Sequence, residues 1–184
     1  VTGNSFWLLP FFQQDLNWDP VKDFLPVSQL TASPSVLVVH PSVPARSVKE
    51  LIAYIKSRPG KLHWGSGPYG TGNHLAAEQF KIAAGLDMVR IPYKGGGDAI
   101  IDLLAGQIQL YFATALSGTP FIKSGRLRAL AVTSAKPSML LPDLPTVSAS
   151  GLPGYETVSM IGLFAPARTP VPIVNRLNAK IGRA

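Results

Sequence analysis

Cysteine is absent from the 184 residues, which excludes disulfides, thiolate metal sites and cysteine nucleophiles. Charged side chains are sparse, at 15% of the chain. No apolar run approaches the ~20 residues that span a bilayer. The longest, around Val36–Val39 and Leu127–Val132, have strand length, so the chain is not expected to be membrane-embedded. The three histidines, His40, His63 and His74, stand in neither HxxxH nor HxH spacing, which argues against a zinc site. There is no G-x-S-x-G elbow and no G-x-x-x-x-G-K-[ST] loop. The net charge of +7 comes from scattered Lys and Arg, with no basic cluster and no aromatic–basic interleaving. No nucleic-acid partner is therefore expected. Val1–Pro10 carry neither the basic n-region nor the cleavage site of a signal peptide.

What the chain has is apolar residues, 46% of it, and an even punctuation of 17 Pro and 17 Gly. Val36–His40 reads as a buried strand ended by Pro41. Ser47-Val-Lys-Glu50 is a capping box that opens an amphipathic helix stopped by Pro59-Gly60. Further strands are predicted over Lys61–Gly65, Met88–Tyr93, Ile108–Phe112, Leu127–Thr133 and Met160–Ala165. Further helices are predicted over Asn73–Ala84, from a cap at Asp98 through Leu104, over Pro120–Lys123, and from Thr169-Pro170 to Ile181. Leu75, Phe80 and Ala83 are the expected inward face of the second helix. Strand and helix alternate four times through short loops, which predicts an α/β fold with a parallel or mostly parallel sheet. The alternation breaks over Ser134–Val158, a Pro-, Gly- and Ser-rich stretch without a period. Val1–Phe12 is apolar and has no partner strand nearby in sequence.

Two glycine-rich loops follow strands and precede helices, Ser66–Asn73 and Tyr93–Gly97. In open α/β sheets ligands bind beyond the carboxyl ends of the strands. Helix N-termini there present unpaired N–H groups and partial positive charge, an arrangement that suits an anion. Ser66, Thr71, Tyr93 and Lys94 add polar groups to these loops. Gly65-Ser-Gly-Pro-Tyr-Gly70 has G-x-G-x-x-G spacing, but Pro68 in the turn and a missing acidic residue at a second strand end argue against a dinucleotide site. Each loop residue also has a plain structural use: Thr71 or Asp98 as a cap, Tyr93 in the core, Lys94 in solvent, His74 packed in the first turn.

A set of short motifs in fixed order then resembles the Bug family, the extracytoplasmic solute receptors of tripartite tricarboxylate transporters. They are Asp19-Pro-Val-Lys-Asp-Phe24 with Pro26-Val-Ser28, Leu37-Val-Val-His-Pro41, Ser47-Val-Lys-Glu-Leu51 and Pro59-Gly-Lys-Leu62. Gly70-Thr71, His74-Leu75, Glu78, Pro92-Tyr-Lys-Gly95, Asp102-Leu-Leu104 and Gly106-Gln107 follow. Gly125–Ser134, Pro142-Asp-Leu-Pro-Thr146, Gly151-Leu-Pro-Gly-Tyr155 and Gly162-Leu-Phe-Ala-Pro166 complete a match from Asp19 to Leu177.

The resemblance implies a type II periplasmic-binding-protein fold: two α/β lobes joined by a hinge, the first lobe incomplete in this chain. Residues 1–36 would belong to the first lobe, 37–159 to a complete second lobe, and 160–184 to the return into the first. Leu37–His40 and Met160–Ala165 would be the crossing strands. It implies a periplasmic receptor of a Gram-negative bacterium, secreted as a precursor with a signal peptide. Such a receptor captures a di- or tricarboxylate or an aromatic acid in the inter-lobe cleft and delivers it to membrane transporter subunits. It would work as a monomer, without cofactor, metal or catalysis. A ligand-sensing domain of a regulatory system with no transport role is the alternative. By position, Ser66, Gly70 and Thr71 match the family's ligand-facing turn, and Tyr93, Lys94 and Gly95 its second loop. Asn4 and Ser5 fall where the first lobe offers a polar loop, and Tyr69 could add an aromatic wall. The chain departs from the pattern at Pro68, at Asp98, and at Ala113-Thr114 where Asp-Asn is common; the last departure favours a plain carboxylate over an amino acid.

Overall fold

The computed structural model describes residues 1–182. The chain forms two compact units: Val1–Ala32, Tyr69–Thr71 and Ser159–Ala184 in unit 1, and Ser33–Pro68 with Gly72–Val158 in unit 2. In unit 2 the second half of β2 (Phe24–Val39) is the sheet's central antiparallel strand, bonded to β5 (Leu110–Thr114) and to β6 (Arg128–Val132). Beyond β5 lie β3 (His63–Ser66) and β4 (Val89–Pro92), both parallel to it, so the order is β6-β2-β5-β3-β4. The sheet is therefore mixed rather than mostly parallel. Strand–helix alternation predicts parallel neighbours, but the direction of the first strand depends on the end at which the chain enters, which alternation does not encode.

Alternate residues of the central strands feed two cores, which explains why these strands read as unbroken apolar runs. Leu37 and Val39 of β2 and Leu110 and Phe112 of β5 pack with Leu51, Ile55, Trp64 and Phe80. Val36, Val38, Tyr111 and Ala113 pack on the other side with Ala99, Ile100 and Leu103. The first core holds α2 (Val48–Lys56) and α3 (Gly72–Ala84); the second holds α4 (Gly96–Leu104). Ser47 caps α2 by accepting from the Glu50 N–H, and the Glu50 carboxylate accepts in return from the N–H of Arg46 at 2.7 Å. In α3 the inward side chains are His74, Ala76, Ala77, Phe80 and Ala84, while Ala83 faces solvent.

Other boundaries moved for local reasons. β2 begins at Phe24 rather than Val36. Pro26 and Pro34 remove two N–H groups from it, and its ladder with β5 starts only at Ser35. The strand expected over Ile108–Phe112 is β5, Leu110–Thr114; Ile108 instead belongs to the turn that closes on the Asp102 carbonyl. α5 runs over Ala115–Lys123 with Pro120 inside it, not at its start, and Thr114 caps it. The final helix, α6 (Val171–Ile181), has Pro170 at the cap position, one residue after the expected Thr169. The aperiodic stretch after β6 is anchored in unit 2 by Val147, Leu152 and Tyr155, all in the first core. The Tyr155 hydroxyl donates to the Ala76 carbonyl at 2.7 Å.

Unit 1 answers the question of where Val1–Phe12 finds a strand partner. β1 (Thr2–Gly3) pairs antiparallel with β7 (Val158–Pro166), Thr2 opposite Gly162. α1 (Asn4–Leu8) follows, and Phe6 stacks on Trp18 at 4.9 Å and meets Phe24 and Phe164 edge-on and stacked. The Asn178 carboxamide of α6 donates to the Val27 carbonyl at 2.6 Å.

Candidate ligand-binding site

β3, β4 and β5 are parallel, so their carboxyl ends fall on one edge of the unit 2 sheet, and each is followed by a helix. The starts of α4 and α5 differ. At α5 the Thr114 side chain accepts from the Ser117 N–H at 3.2 Å, so this end is capped from within. At α4 the cap residue is Gly95, extended at φ −153°, which has no side chain to cap with. Asp98 is thus not the cap; it sits exposed in the first turn. The α4 start keeps the open N–H groups and partial positive charge that attract an anion.

Ser66 is fully buried at the end of β3, and its hydroxyl donates to the Gly67 carbonyl at 2.7 Å. The same carbonyl accepts from Arg90 Nη2 at 2.9 Å. Arg90 was only one of many scattered basic residues in the sequence; a guanidinium reaching a loop 23 residues earlier has no sequence signal. Tyr93 is half-buried, and its hydroxyl donates to Asp102 Oδ2 at 2.7 Å. Burial, then that bond and the carboxylate charge, push its phenol well above the usual range. Its proton is thereby committed. Lys94 is exposed beside it.

The remaining candidates lie in unit 1. Asn4 Oδ1 accepts from the Met160 N–H at 2.7 Å. The Tyr69 ring stacks on Phe12 with centroids 5.5 Å apart and is 55% exposed. Gly70 has φ +77°, and a Cβ there would meet the Ser5 backbone at 3.2 Å. That close approach and the left-handed backbone both require glycine. Thr71 is partly exposed at the end of the same turn.

His74, in the first turn of α3, is 5% exposed and packs near Trp64. Burial, with the Arg90 charge adding to it, lowers its pKa, against a smaller opposing effect of Glu78. Among the described residues no cluster of three or more potential metal ligands occurs, and no helix is long and apolar enough to cross a membrane.

The fold is that of the periplasmic binding proteins. The solved structure of the periplasmic binding protein BugD superposes with a TM-score of 0.87 at 32% identity, covering 97% of this chain and 60% of that one. Rpa4515 of R. palustris, solved with adipate, matches at 0.84 and 38%, covering 91% and 56%. MatC of Rhodopseudomonas palustris, solved with bound malate, matches at 0.84 and 29%, covering 98% and 60%. The family model described as tripartite tricarboxylate transporter family receptor matches residues 1–184, and the chain belongs to that family. The chain spans about half the length of the curated relatives it matches, at 33–37% identity for the first three.

Proposed function

We propose that this chain is the core of a periplasmic receptor that captures a small plain carboxylate, catalyses nothing, and passes the ligand to membrane subunits of a tripartite transporter. The observation that carries the proposal is the uncapped start of α4 at Gly95, on the same sheet edge as the glycine-rich loop after β3. An anion there gains N–H donors already aligned and already stripped of competing side chains. Lys94 adds a nearby cation, and the net charge of +7 favours anion approach. The structures solved with adipate and malate, 38% and 29% identical to this chain, support a carboxylate ligand.

Gly70, Thr71, Lys94 and Gly95 are the proposed ligand-facing residues of the two loops, with Asn4, Ser5 and Tyr69 as further contributors, while Ser66, fully buried with its hydroxyl on the Gly67 carbonyl, would act by shaping the first loop. Tyr93, Asp98 and Thr114 would act through the shape and charge of the site, because the two hydroxyls are already engaged by Asp102 and Ser117. The end of β5, which could pair with a ligand ammonium, holds Ala113 and Thr114, neither of them acidic. A ligand without an amino group is therefore favoured.

The test is calorimetric titration of the full-length protein with adipate, malate and the amino acid aspartate. Binding of adipate or malate in the micromolar range, with aspartate at least about tenfold weaker, is expected. Failure of every plain carboxylate to bind folded protein would sink the reading.

A further inference from the structure

Gly67, Asn73 and Tyr111 form a short hydrogen-bonded chain in unit 2 whose donor order is determined at one end. The Gly67 N–H donates to Asn73 Oδ1 at a long 3.4 Å. A backbone N–H needs an acceptor, so the carboxamide oxygen faces Gly67 and the NH₂ faces Tyr111. Asn73 Nδ2 accordingly donates to Tyr111 Oη at 2.6 Å. The phenol oxygen is the acceptor in that bond, and the phenolic hydrogen must point elsewhere. Among the described residues, no protein group accepts it. Tyr111 is 3% exposed, so this is a donor withdrawn from bulk water. Burial pushes its pKa up, so the group is a neutral O–H at physiological pH.

The hydroxyl lies against the start of α4. A Cβ placed on Gly96 would stand 3.0 Å from Tyr111 Oη. Gly96 is the first residue of the helix whose cap position, Gly95, supplies no side chain. A buried O–H without an acceptor and a set of open helix N–H groups therefore meet at one point. An acceptor with two oxygens satisfies both, and a carboxylate is such a group.

We infer that Tyr111 is a ligand-binding residue that donates its phenolic hydrogen to one oxygen of the carboxylate, while the first N–H groups of α4 bind the other. Asn73 acts as a positioning residue: by donating to the phenol oxygen it turns the hydrogen toward the ligand. Arg90, bonded to the Gly67 carbonyl, holds the residue whose N–H orients Asn73, though through the neighbouring peptide unit. The inference rests on the receptor reading above and adds to it a contact that none of the loop motifs contains.

The experiment uses the full-length protein with adipate and malate as probes. Tyr111→Phe is expected to weaken the bound acid by about tenfold or more, the range for a hydrogen bond to a charged group. In protein labelled with ¹³Cζ-tyrosine, the Tyr111 resonance, assigned by its loss in the variant, is expected to shift on saturation with ligand. Gly96→Ala supplies an independent arm. The substitution favours the helix, yet its methyl would press on Oη at 3.0 Å and displace the hydroxyl, so affinity is expected to fall by more than any loss of stability accounts for. Wild-type binding that persists unchanged in Tyr111→Phe, or a Tyr111 resonance unmoved by ligand, overturns the role of Tyr111 and leaves the receptor reading intact. A wild-type protein that binds neither acid overturns both.

Discussion

Thr133 Oγ1 accepts the backbone N–H of Ser35 at 2.8 Å, joining residues 98 apart in the chain. The same hydroxyl donates to the Thr157 carbonyl at 2.7 Å, and both Thr133 and Ser35 are buried. One side chain thus ties β6 to the points where the chain enters and leaves unit 2. Thr133→Val keeps the shape and removes both bonds, leaving the Ser35 N–H buried without a partner. The expected cost is about 1–3 kcal/mol. Urea unfolding should show a lower midpoint with an unchanged slope; an unaltered midpoint would show that the hydroxyl is dispensable.

Gly65 in β3 has no room for a side chain. A Cβ there would come within 2.6 Å of Ile108 Cδ1 and 3.3 Å of the Ala99 methyl. Gly65→Ala is expected to push α4 away from the sheet and destabilise by about 1–3 kcal/mol. Because the start of α4 is the proposed carboxylate site, ligand affinity should fall as well. A variant with native stability and native affinity would show that α4 yields without consequence.

His74 is expected to make stability depend on pH in one direction. Its folded pKa lies below the ordinary 6.5 because burial and the Arg90 charge disfavour the imidazolium. Below about pH 6.5 the unfolded chain binds this proton more readily than the folded one, so stability falls as pH drops toward the folded value. Well above 6.5 both states are neutral at this site and it contributes no slope. His74→Gln should flatten the slope below about pH 6.5 relative to wild type. Parallel pH curves for the two proteins would exclude the effect.

Thr114 caps α5, so Thr114→Ala is expected to cost about 1 kcal/mol of stability. Affinity for adipate or malate should change by less than about threefold, since the hydroxyl already serves Ser117. A large loss of affinity with no change in melting temperature would instead place the Thr114 hydroxyl on the ligand.

Lys94 is exposed, so its contribution should be electrostatic and screened by salt. Lys94→Gln is expected to weaken carboxylate binding a few-fold at low ionic strength. The difference should shrink at roughly 0.5 M salt, where the Debye length is only a few ångströms. A difference that persists at high salt would point to a direct, desolvated contact.

Much of unit 2 was legible because its signals are local. Ser47 and Glu50 are three residues apart, and their cap forms within a single turn. Gly106, at φ +75°, ends α4 where a side chain would be strained, and glycine after an apolar period signals such an end. Pro120 misled, because proline is favoured in a first helical turn but here sits within α5. Asp98 misled in the opposite way: an acidic residue near a helix start reads as a cap, whereas Gly95 took that position without a side chain to mark it.

By itself the sequence determined most elements of unit 2, the α/β class and the family, since periodicity, caps and ordered motifs are properties of neighbouring residues. It also marked the two glycine-rich loops. Only the tertiary structure decided that β2 runs against its neighbours, that Arg90 grips the Gly67 carbonyl, and that Tyr111 turns its hydroxyl to the start of α4. These depend on partners brought together from distant parts of the chain, as Asn73 and Tyr111 are across 38 residues. No local pattern encodes a hydrogen bond whose two ends meet only when the sheet is assembled.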